Sequence, residues 1–472
     1  MSDRPNILFL MDDEHRPDVL GYAGNDVVRT PTLDWLAETG VVFENAYTPS
    51  PRCVPARQCM AAGQLPRTCG AERWGEGLAK DAMTFARRFA QHAYETSAHG
   101  KVHAVGGVTY KHGWGDSTSI IPEADEEAAS YETGDVKWNQ AKEVQRAGVR
   151  DSAAPFAIDG DAHRVQDALN KIQSKFLHPY YDRENPNRPI MMKVSLSKPH
   201  YPYFTTEELF TYYLRRVKPF DGEAPPMVDD HPFLGTFYRH FTHADRDHHE
   251  PNAVTPREIR RATAAYYGMV EEVDSYYRRV LDALEHVGED LDEWIIVFTS
   301  DHGEMLGQYG LWEKGHFFEG SAGVPLLIRW PERFEPRRVD ANVNLCDLFA
   351  TLCDLAELPL PEDHVLDSRS LVPLLEGNED VWYDRHPNES VTAYGDRLMI
   401  KHDSLKYFYH PEGDDLLLDL DRDEDETTNR IDEPRYTAAL DRFETRRAEL
   451  GYGPDADPGY RHAGYQTGVP EP

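Results

Sequence analysis

The sequence has few basic residues for its length. Its 472 residues include 50 lysines and arginines against 83 aspartates and glutamates, a formal net charge of −33 at pH 7. A surface of that sign repels the phosphates of nucleic acids and anionic lipid headgroups, so we expect neither as a partner. It suits a protein kept soluble in concentrated salt, where the Debye length falls to about 3 Å at 1 M. High-salt adaptation is therefore a hypothesis.

Long hydrophobic runs and a regular set of cysteines are also absent. Near the N-terminus, the apolar run Ile7–Met11 is too short for the hydrophobic part of a signal peptide or for a membrane span. The five cysteines are odd in number and unevenly spread, which argues against a disulfide framework. We therefore expect a cytoplasmic location. The composition leaves the oligomeric state open, a homo-oligomer included.

Short apolar runs alternate with helical segments along most of the chain. The runs predict strands at 6–10, 41–47, 94–98, 190–196, 294–299 and 324–329. This alternation predicts an α/β fold in which helices flank a large, mostly parallel sheet. In such a sheet the strands carry one shared site at their carboxyl edge.

The C-terminal part has a different pattern. Four short strand candidates between 391 and 420 precede a helix over about 435–450, which predicts a smaller antiparallel-sheet-plus-helix subdomain. We place the main domain at 1–377, this subdomain at 378–450 and a loosely ordered tail at 451–472. Residues 115–160 have no clear period and predict a surface insertion. The histidines within 221–252 belong either to a solvated loop or to a metal site.

The stretch Cys53-Val54-Pro55-Ala56-Arg57 is predicted to begin a short helix that Gly63 ends. Cys53 would then lie at a helix N-terminus, where the backbone N–H groups and the helix dipole favour an anion or an anionic nucleophile. Arg57 follows one turn later as a permanent cation. The alternative is that Cys53 is simply a small buried residue.

Polar clusters follow the predicted strands. Taken singly, such clusters favour a solvated turn or polar loop. If the strands are parallel, however, their carboxyl ends meet at one edge. The clusters that would converge there are Asp12 with Asp13, Cys53, Lys101 with His103, His200, Asp301 with His302, and Lys314.

Taken in this order, the motifs resemble the type I sulfatases of the alkaline-phosphatase superfamily along nearly the whole chain. Cys-x-Pro-x-Arg with its following Gly63 is similar to the signature in which the cysteine is oxidised to formylglycine. Asp301-His302-Gly303-Glu304 is similar to the choline-sulfatase, iduronate-sulfatase and phosphonate-monoester-hydrolase branch. The chain departs from that branch at Gly323, where Arg is frequent, and at Val102, where Trp is usual. Both departures concern the substrate rather than the reaction class.

The resemblance implies a sulfuric ester hydrolase that acts on a small sulfated organic molecule. It implies one divalent cation, Ca²⁺ first and Mg²⁺ or Mn²⁺ as alternatives, because three carboxylates and one imidazole suit a hard ion. A formylglycine-generating enzyme is the implied maturation partner. The implied ligands are Asp12, Asp13, Asp301 and His302.

The implied catalytic residues have separate roles. Arg57 orients the nucleophile that Cys53 becomes, Lys101 and Lys314 carry charge for the sulfuryl oxygens, His103 is the base for sulfate release, and His200 protonates the leaving alcohol. In the family, one hydroxyl of hydrated formylglycine attacks sulfur and the other later loses a proton to expel sulfate. His316 and Lys198 are second choices.

Three other readings stay open. The same cations would serve a phosphonate or phosphate ester hydrolase. A catalytically silent, metal-stabilised binding protein results if Cys53 stays a thiol. A thiol at a helix N-terminus beside Arg57 is also expected to be acidic, so a redox or thiol-hydrolase role is a further rival.

Overall fold

The computed structural model of the chain describes residues 4–73, 76–102, 112–118, 140–150, 160–178, 181–182, 185, 187–220, 225, 227, 254–411 and 413–453. Of the predicted segments, most of 221–252, the parts 119–139 and 151–159 of the predicted insertion, and all of the tail after 453 lie outside these residues. None of the helices within the described ranges combines the length and the apolar character that crossing a membrane requires.

An eight-stranded sheet forms the centre of the molecule. Its strands run in the order β10-β2-β9-β8-β1-β6-β3-β4, and only β9 runs antiparallel to its neighbours. They are β1 (Ile7–Asp13), β2 (Val41–Tyr47), β3 (Glu95–Gly100), β4 (Asp116–Thr118), β6 (Ile190–Pro199), β8 (Ile295–Ser300), β9 (Leu326–Arg329) and β10 (Arg337–Asn344). Two short strands, β5 (Gly148–Val149) and β7 (Phe204–Thr205), pair separately. The mostly parallel sheet predicted from the sequence is confirmed.

Helices cover both faces of this sheet. Those that precede β8 are α1 (Pro31–Glu38), α2 (Cys53–Ala62), α3 (Pro66–Cys69), α4 (Phe85–Gln91), α5 (Gln140–Arg146), α6 (Gly160–Leu177), α7 (Glu207–Leu214) and α8 (Pro256–His286). The later ones are α9 (Glu319–Ala322), α10 (Leu348–Leu355), α11 (Val372–Leu375), α12 (Glu379–Tyr383) and α13 (Thr437–Glu449). Short 3₁₀ helices lie at Gly21–Ala23, Leu291–Glu293, Gln308–Gly310, Leu345–Asp347 and Pro434–Tyr436.

The central strand β1 explains why the core has two layers. Successive side chains of a strand point to opposite faces. Ile7 and Phe9 therefore pack with the layer that contains α4 and α10, whereas Leu8 and Leu10 pack with the layer that contains α6 and α8. Every residue of β1 is buried. An uninterrupted apolar run is the expected sequence of a parallel strand covered on both faces.

A second sheet follows the large one in the chain. Strands β11 (Glu389–Tyr394), β12 (Arg397–His402), β13 (Leu405–Tyr409) and β14 (Leu416–Asp419) pair antiparallel in sequence order. Helix α13 packs on one face, where Phe443 stacks on Tyr407 at 5.4 Å between ring centroids. The opposite face contacts Phe317 and Phe318, beside α9. The predicted antiparallel sheet with a helix is confirmed.

Two parts of the large sheet were not predicted. The sequence analysis predicts no strand at β10, because the charged residues Arg337, Arg338 and Asp340 interrupt the alternation of apolar and polar residues that indicates a strand. The predicted insertion at 115–160 is partly wrong, because β4 extends the sheet and α5 buries Ala141 and Val144. A seven-residue helix spans about two turns, too few for a 3.6-residue period to be recognised among polar residues.

A buried charge network joins the second sheet to the segment around α9. Lys406 is fully buried, and its Nζ donates to the Phe317 carbonyl at 2.8 Å, to Glu426 at 2.5 Å and to Glu319 at 2.7 Å. Removing one member of a buried ion pair leaves the other charge uncompensated, which costs about 3–5 kcal/mol.

We therefore expect Lys406→Met to lower the free energy of unfolding by about 3–5 kcal/mol, measured by urea denaturation. Arg435→Met is the matched control, because Arg435 pairs with Glu433 at the surface and such exposed pairs contribute about 0–1 kcal/mol. Equal losses in the two variants would contradict a stabilising role for the buried network.

Candidate active site

Four neighbouring parallel strands deliver polar residues to one edge of the large sheet. In the order β8-β1-β6-β3, their carboxyl ends lead into Asp301, Asp12 with Asp13, the loop that carries His200, and Lys101. The strands are in register over their apolar residues, so these side chains emerge at the same level.

Cys53 reaches the same edge after strand β2, which lies beyond β9 in the sheet and runs parallel to β8. Strand β2 ends at Tyr47, and after a five-residue connection Cys53 is the first residue of α2. The helix ends as predicted at Gly63, which has a positive φ of 67° and where an added Cβ would lie 2.7 Å from Phe349. The Cys53 Sγ lies 3.0 Å from Nε2 of His302 and 3.8 Å from Oδ1 of Asp13.

Arg57 lies one turn after Cys53 and connects the strand ends. Its Nε donates to Asp301 Oδ2 at 2.6 Å and its Nη2 donates to Asp13 Oδ2 at 2.8 Å. Further hydrogen bonds go to the backbone carbonyls of Asp12 and Lys101. The guanidinium therefore holds two carboxylates of the site in place, a task for which its planar fork is suited.

Ligand atoms of Asp13, Cys53, Asp301 and His302 all lie within 4.8 Å of one another. The carboxyl groups of Asp13 and Asp301 are within hydrogen-bond reach, and burial raises the pKa of Asp301 to about 7 against the lowering by Arg57, with Asp13 adding to the rise. Two buried carboxylates this close need a proton or a cation between them.

The imidazole of His302 is oriented for coordination. Its Nδ1 lies 3.0 Å from the Gly303 carbonyl, so Nδ1 carries the proton and Nε2 presents a lone pair to the cluster. Burial and the Lys314 charge hold the pKa of His302 well below its usual value, which keeps the ring neutral. Asp13, Asp301 and His302 thus offer three oxygen or nitrogen donors, a set that fits a hard divalent cation.

Asp12 has a buried carboxylate oxygen that no hydrogen-bond donor satisfies. Its Oδ2 contacts Nδ1 of His15 at 2.5 Å, whereas its Oδ1 is buried without a hydrogen-bond partner. A buried carboxylate oxygen that lacks a donor is costly unless a cation satisfies it. Asp12 lies outside the group of four close ligands, so its role as a ligand stays a prediction.

Lysine and histidine side chains line the open side of the cluster. Lys101 Nζ lies 3.0 Å from Asp13 Oδ2, and Lys314 Nζ contacts His200 Nε2 at 2.5 Å. His200 Nδ1 is 2.6 Å from the Tyr201 carbonyl, so Nδ1 donates and Nε2 accepts from Lys314. Burial and the charges of Lys314 and Lys101 hold the pKa of His200 well below its usual value.

Glu14 is the site residue that the sequence analysis missed. It is fully buried, it accepts a hydrogen bond from Lys314 Nζ at 2.8 Å, and it lies 3.4 Å from His200 Nε2. Burial raises the pKa of Glu14 well above its usual value against the lowering by Lys314. The sequence signal that could have identified Glu14 is its place as a third acidic residue directly after Asp12 and Asp13.

We expect Glu14→Gln to lower kcat/KM about ten- to a hundredfold, since a hydrogen bond to a charged group contributes about 1.5–3 kcal/mol. In this variant Lys314 and His200 lose the carboxylate that holds them in place, so the pH dependence of kcat/KM should shift as well. Steady-state kinetics across pH test this. Glu271→Gln, which breaks an exposed pair with Arg29, is the control and should change nothing. Unaltered kinetics in Glu14→Gln would show that the contact is dispensable.

Not all predicted residues join the cluster. The second choice Lys198 instead pairs with Glu272 at 2.5 Å, and His316 is buried within reach of the charges of Arg52 and Arg397. His103 and the histidines at 240, 243, 248 and 249 lie outside the described residues.

The expectation of an acidic Cys53 thiol is wrong. Burial raises the pKa of Cys53 well above its usual value, and the neighbouring Asp13 carboxylate adds to the rise. Arg57 binds carboxylates instead of the sulfur, so its charge is already compensated. A thiolate nucleophile, which the redox and thiol-hydrolase alternatives need, is therefore disfavoured here.

Comparisons with known proteins identify the family of this chain. The family model Sulfatase matches residues 5–358, and the model for the C-terminal part of N-sulphoglucosamine sulphohydrolase matches 307–451. A choline-sulfatase of Rhizobium meliloti is 30% identical over 95% of this chain and 87% of its own length. An arylsulfatase of Clostridium perfringens is 26% identical over 93% of this chain and 92% of its own.

Among solved structures, the phosphonate monoester hydrolase of Agrobacterium radiobacter superposes with a TM-score of 0.75 at 23% identity and covers 95% of each chain. At that identity the likeness concerns the fold, which is thus alkaline-phosphatase-like. The family match extends over the strand ends that bring Asp12, Lys101 and Asp301 to the site and over the helix that begins at Cys53. The chain belongs to the sulfatase family and is a sulfuric ester hydrolase.

Proposed function

We propose that the protein hydrolyses the sulfate monoester of a small organic alcohol with a formylglycine formed from Cys53. The observation that supports this most directly is the position of Cys53 Sγ within the same cluster as Asp13, Asp301 and His302. If residue 53 attacks sulfur, it has to lie next to the charged groups that stabilise the sulfuryl oxygens.

A divalent cation would be held by Asp12, Asp13, Asp301 and His302, with Ca²⁺ first and Mg²⁺ or Mn²⁺ as alternatives. Bound there, it would supply a Lewis acid for the sulfuryl oxygens and for the hydroxyl of residue 53. The buried Asp12 Oδ1 without a donor and the close Asp13 and Asp301 carboxyls support such an ion.

The lysines supply positive charge next to the ester. Lys101 and Lys314 are both buried, and their ammonium groups flank the Asp13–Glu14 segment at 3.0 and 2.8 Å. Fixed charges inside a site from which water is excluded stabilise developing negative charge more strongly than they would in water. We assign the nonbridging sulfuryl oxygens to these two groups.

His200 is the proposed proton donor for the leaving alcohol. Its Nε2 accepts from the Lys314 ammonium group on the partly exposed side of the site, and Lys314 would supply the proton that the ring passes to the alcohol. The oxygen of the leaving alcohol needs a proton as its bond to sulfur breaks. His103 remains the proposed base for sulfate release.

Formylglycine would provide two geminal hydroxyls on one carbon, one to attack and one to release sulfate. Its formation needs a formylglycine-generating enzyme, which we propose as the maturation partner. The intact mass of the peptide that carries Cys53, from protein made in its native host, tests this directly. An aldehyde or its hydrate is expected, while Cys59 should remain a thiol. An unmodified Cys53 in fully active protein would overturn the proposal.

A phosphonate or phosphate ester hydrolase is the second candidate, because the fold neighbour with a TM-score of 0.75 is a phosphonate monoester hydrolase. The same lysines would stabilise a phosphoryl group. Parallel kcat/KM values for 4-nitrophenyl sulfate, a phosphate diester and a phosphonate monoester separate the two. We expect the sulfate to be preferred, and a preference for the phosphonate would favour the second candidate.

A further inference from the structure

A lysine interrupts the apolar surface of a central strand. Lys193 belongs to β6, where it lies opposite Phe9 of β1 on one side and Ala98 of β3 on the other. Its side chain is only 3% exposed. A parallel strand that helices cover on both faces carries mostly apolar side chains, and a lysine is almost never fully buried unless it is paired. The position of Lys193 therefore requires a partner.

A cavity adjoins Lys193 between the sheet and helices α2 and α4. Its lining includes Arg57 of α2, Phe85 of α4, His112 and Trp114. Inside it, the centre of a water-sized sphere can move over about 20 Å³. About 10–15 Å³ of such volume holds one water molecule, so the cavity has room for one particle of that size or slightly larger. Of the described active-site residues, only Arg57 also lines this cavity.

The amino group of Lys193 lacks a partner in the described part of the chain. Its Nζ makes no hydrogen bond and no ion pair there, and the centre of the Phe9 ring lies 5.3 Å away. No carboxylate is among the described residues that line the cavity. Burial and the Arg57 charge hold the pKa of Lys193 well below its usual value, and the opposing effect of Asp301 is smaller. The protein by itself thus leaves this amine unsatisfied.

His112 is a second unsatisfied polar residue of the cavity lining. Its side chain is 6% exposed, and neither Nδ1 nor Nε2 has a hydrogen-bond partner among the described residues. The backbone holds this residue in place, since the Thr84 hydroxyl at the start of α4 donates to the His112 carbonyl. A buried imidazole without partners is costly unless something in the cavity supplies them.

Arg57 adds positive charge to the cavity but no hydrogen bonds. Its five N–H groups are engaged by the side chains of Asp13, Asp301 and Ser195 and by the carbonyls of Asp12 and Lys101. The described lining therefore combines one permanent cation with two unsatisfied nitrogen side chains, and it contains no acid. A site of this composition favours an anion.

We propose that the cavity binds one halide ion, chloride, which accepts hydrogen bonds from Lys193 Nζ and from an N–H of His112. The ion would supply the counter-charge that Lys193 lacks. A halide is spherical and only slightly larger than a water molecule, so its size fits the cavity, whereas an organic carboxylate is too large. This site goes beyond the sulfatase reaction, and it does not depend on which ester the enzyme hydrolyses.

A water molecule in the cavity is the alternative occupant. Water would satisfy hydrogen bonds of Lys193 and His112, but it would leave a charged Lys193 uncompensated beside Arg57. The two occupants differ in one measurable property. Only a bound ion makes the stability of the fold depend on the halide concentration, because a ligand that binds the folded state alone stabilises it.

Thermal unfolding of the full-length protein in sodium chloride and in sodium glutamate, at a matched ionic strength of about 0.2 M, measures this dependence. Replacing glutamate by chloride should raise the midpoint of the wild type relative to that of Lys193→Met by at least about 2 °C. Methionine resembles lysine in length but needs no counter-ion. The comparison between two proteins cancels the general effects of the salts.

Lys401→Met is the matched control. Lys401 is also 3% exposed and lies in a strand, β12, but the nearby Glu319 supplies negative charge to it. This variant should keep the chloride effect of the wild type. His112→Leu should reduce that effect, because it removes one of the two proposed donors.

Bromide locates the ion directly and keeps the proposal testable if Lys193→Met fails to fold. Wild-type crystals soaked in sodium bromide should show an anomalous peak in the cavity, within hydrogen-bond distance of Lys193 Nζ. Absence of this peak overturns the halide site, and so do equal chloride effects in the wild type and Lys193→Met. A peak without a chloride effect in solution shows binding at crystal concentration only, and it also overturns the proposal.

Discussion

Replacing Cys53 by alanine should lower turnover of sulfate esters by about 10⁴- to 10⁶-fold, the range expected when a covalent nucleophile is removed. Alanine leaves nothing at the first position of α2 that can attack sulfur. Cys53→Ser should be almost as inactive in a host whose machinery converts only cysteine, because a serine sulfate would itself have to be hydrolysed. Initial rates with 4-nitrophenyl sulfate, together with the mass of the peptide, measure both effects.

Cys59→Ala is the matched control, since Cys59 is also a buried cysteine of α2 and its Sγ lies 3.9 Å from the Ala71 carbonyl. It should keep wild-type turnover. Alkylating reagents should leave the fully converted enzyme active, because residue 53 no longer carries a thiol. Loss of activity on alkylation, with the added mass found on the peptide that carries Cys53, would instead identify a thiol nucleophile and contradict the proposal.

Asp301→Asn should lower both the bound divalent metal and kcat/KM, the latter by about a hundredfold or more. The Asp301 carboxylate contributes to the close cluster and accepts from Arg57 Nε at 2.6 Å. The asparagine amide keeps the shape of the Asp301 carboxylate, but it removes one negative charge from the side chains that would bind the cation. Metal content by mass spectrometry and steady-state kinetics on the same preparation measure the two effects together.

Asp274→Asn serves as the control for Asp301→Asn. Asp274 is another buried aspartate, but it accepts hydrogen bonds from the Thr32 and Leu33 amides at the start of α1, away from the cluster. Its replacement should alter stability and leave the metal content unchanged. Wild-type metal content and turnover in Asp301→Asn would contradict the proposed cation site.

Local sequence determined most of the secondary structure around the site. Strand β2 occupies 41–47 as predicted, because an apolar β-branched start and a preceding glycine define it. Helix α2 begins and ends at the predicted residues, since Pro55 suits a first turn and Gly63 adopts the left-handed conformation that ends a helix. Thr255 and Glu258 form a capping box at the start of α8, a motif that the sequence of four consecutive residues defines. All these features depend on residues within a few positions of one another.

The sequence also determined which polar residues belong to one site, because parallel strands bring their carboxyl ends to one edge. Only the tertiary structure decided what each of them contacts. Arg57 was predicted beside the nucleophile, yet the strands present Asp13 and Asp301 to it, and an arginine binds carboxylates in preference to a buried neutral thiol. The acidity expected of Cys53 failed for the same reason, since burial is a property of the packed molecule.

Glu14 shows the limit most clearly. Glu14 looked like one more acid in a turn, but the fold buries it against Lys314, which is 300 positions away. Contacts between distant segments depend on how whole elements pack, and a local pattern of residue types carries no record of that packing.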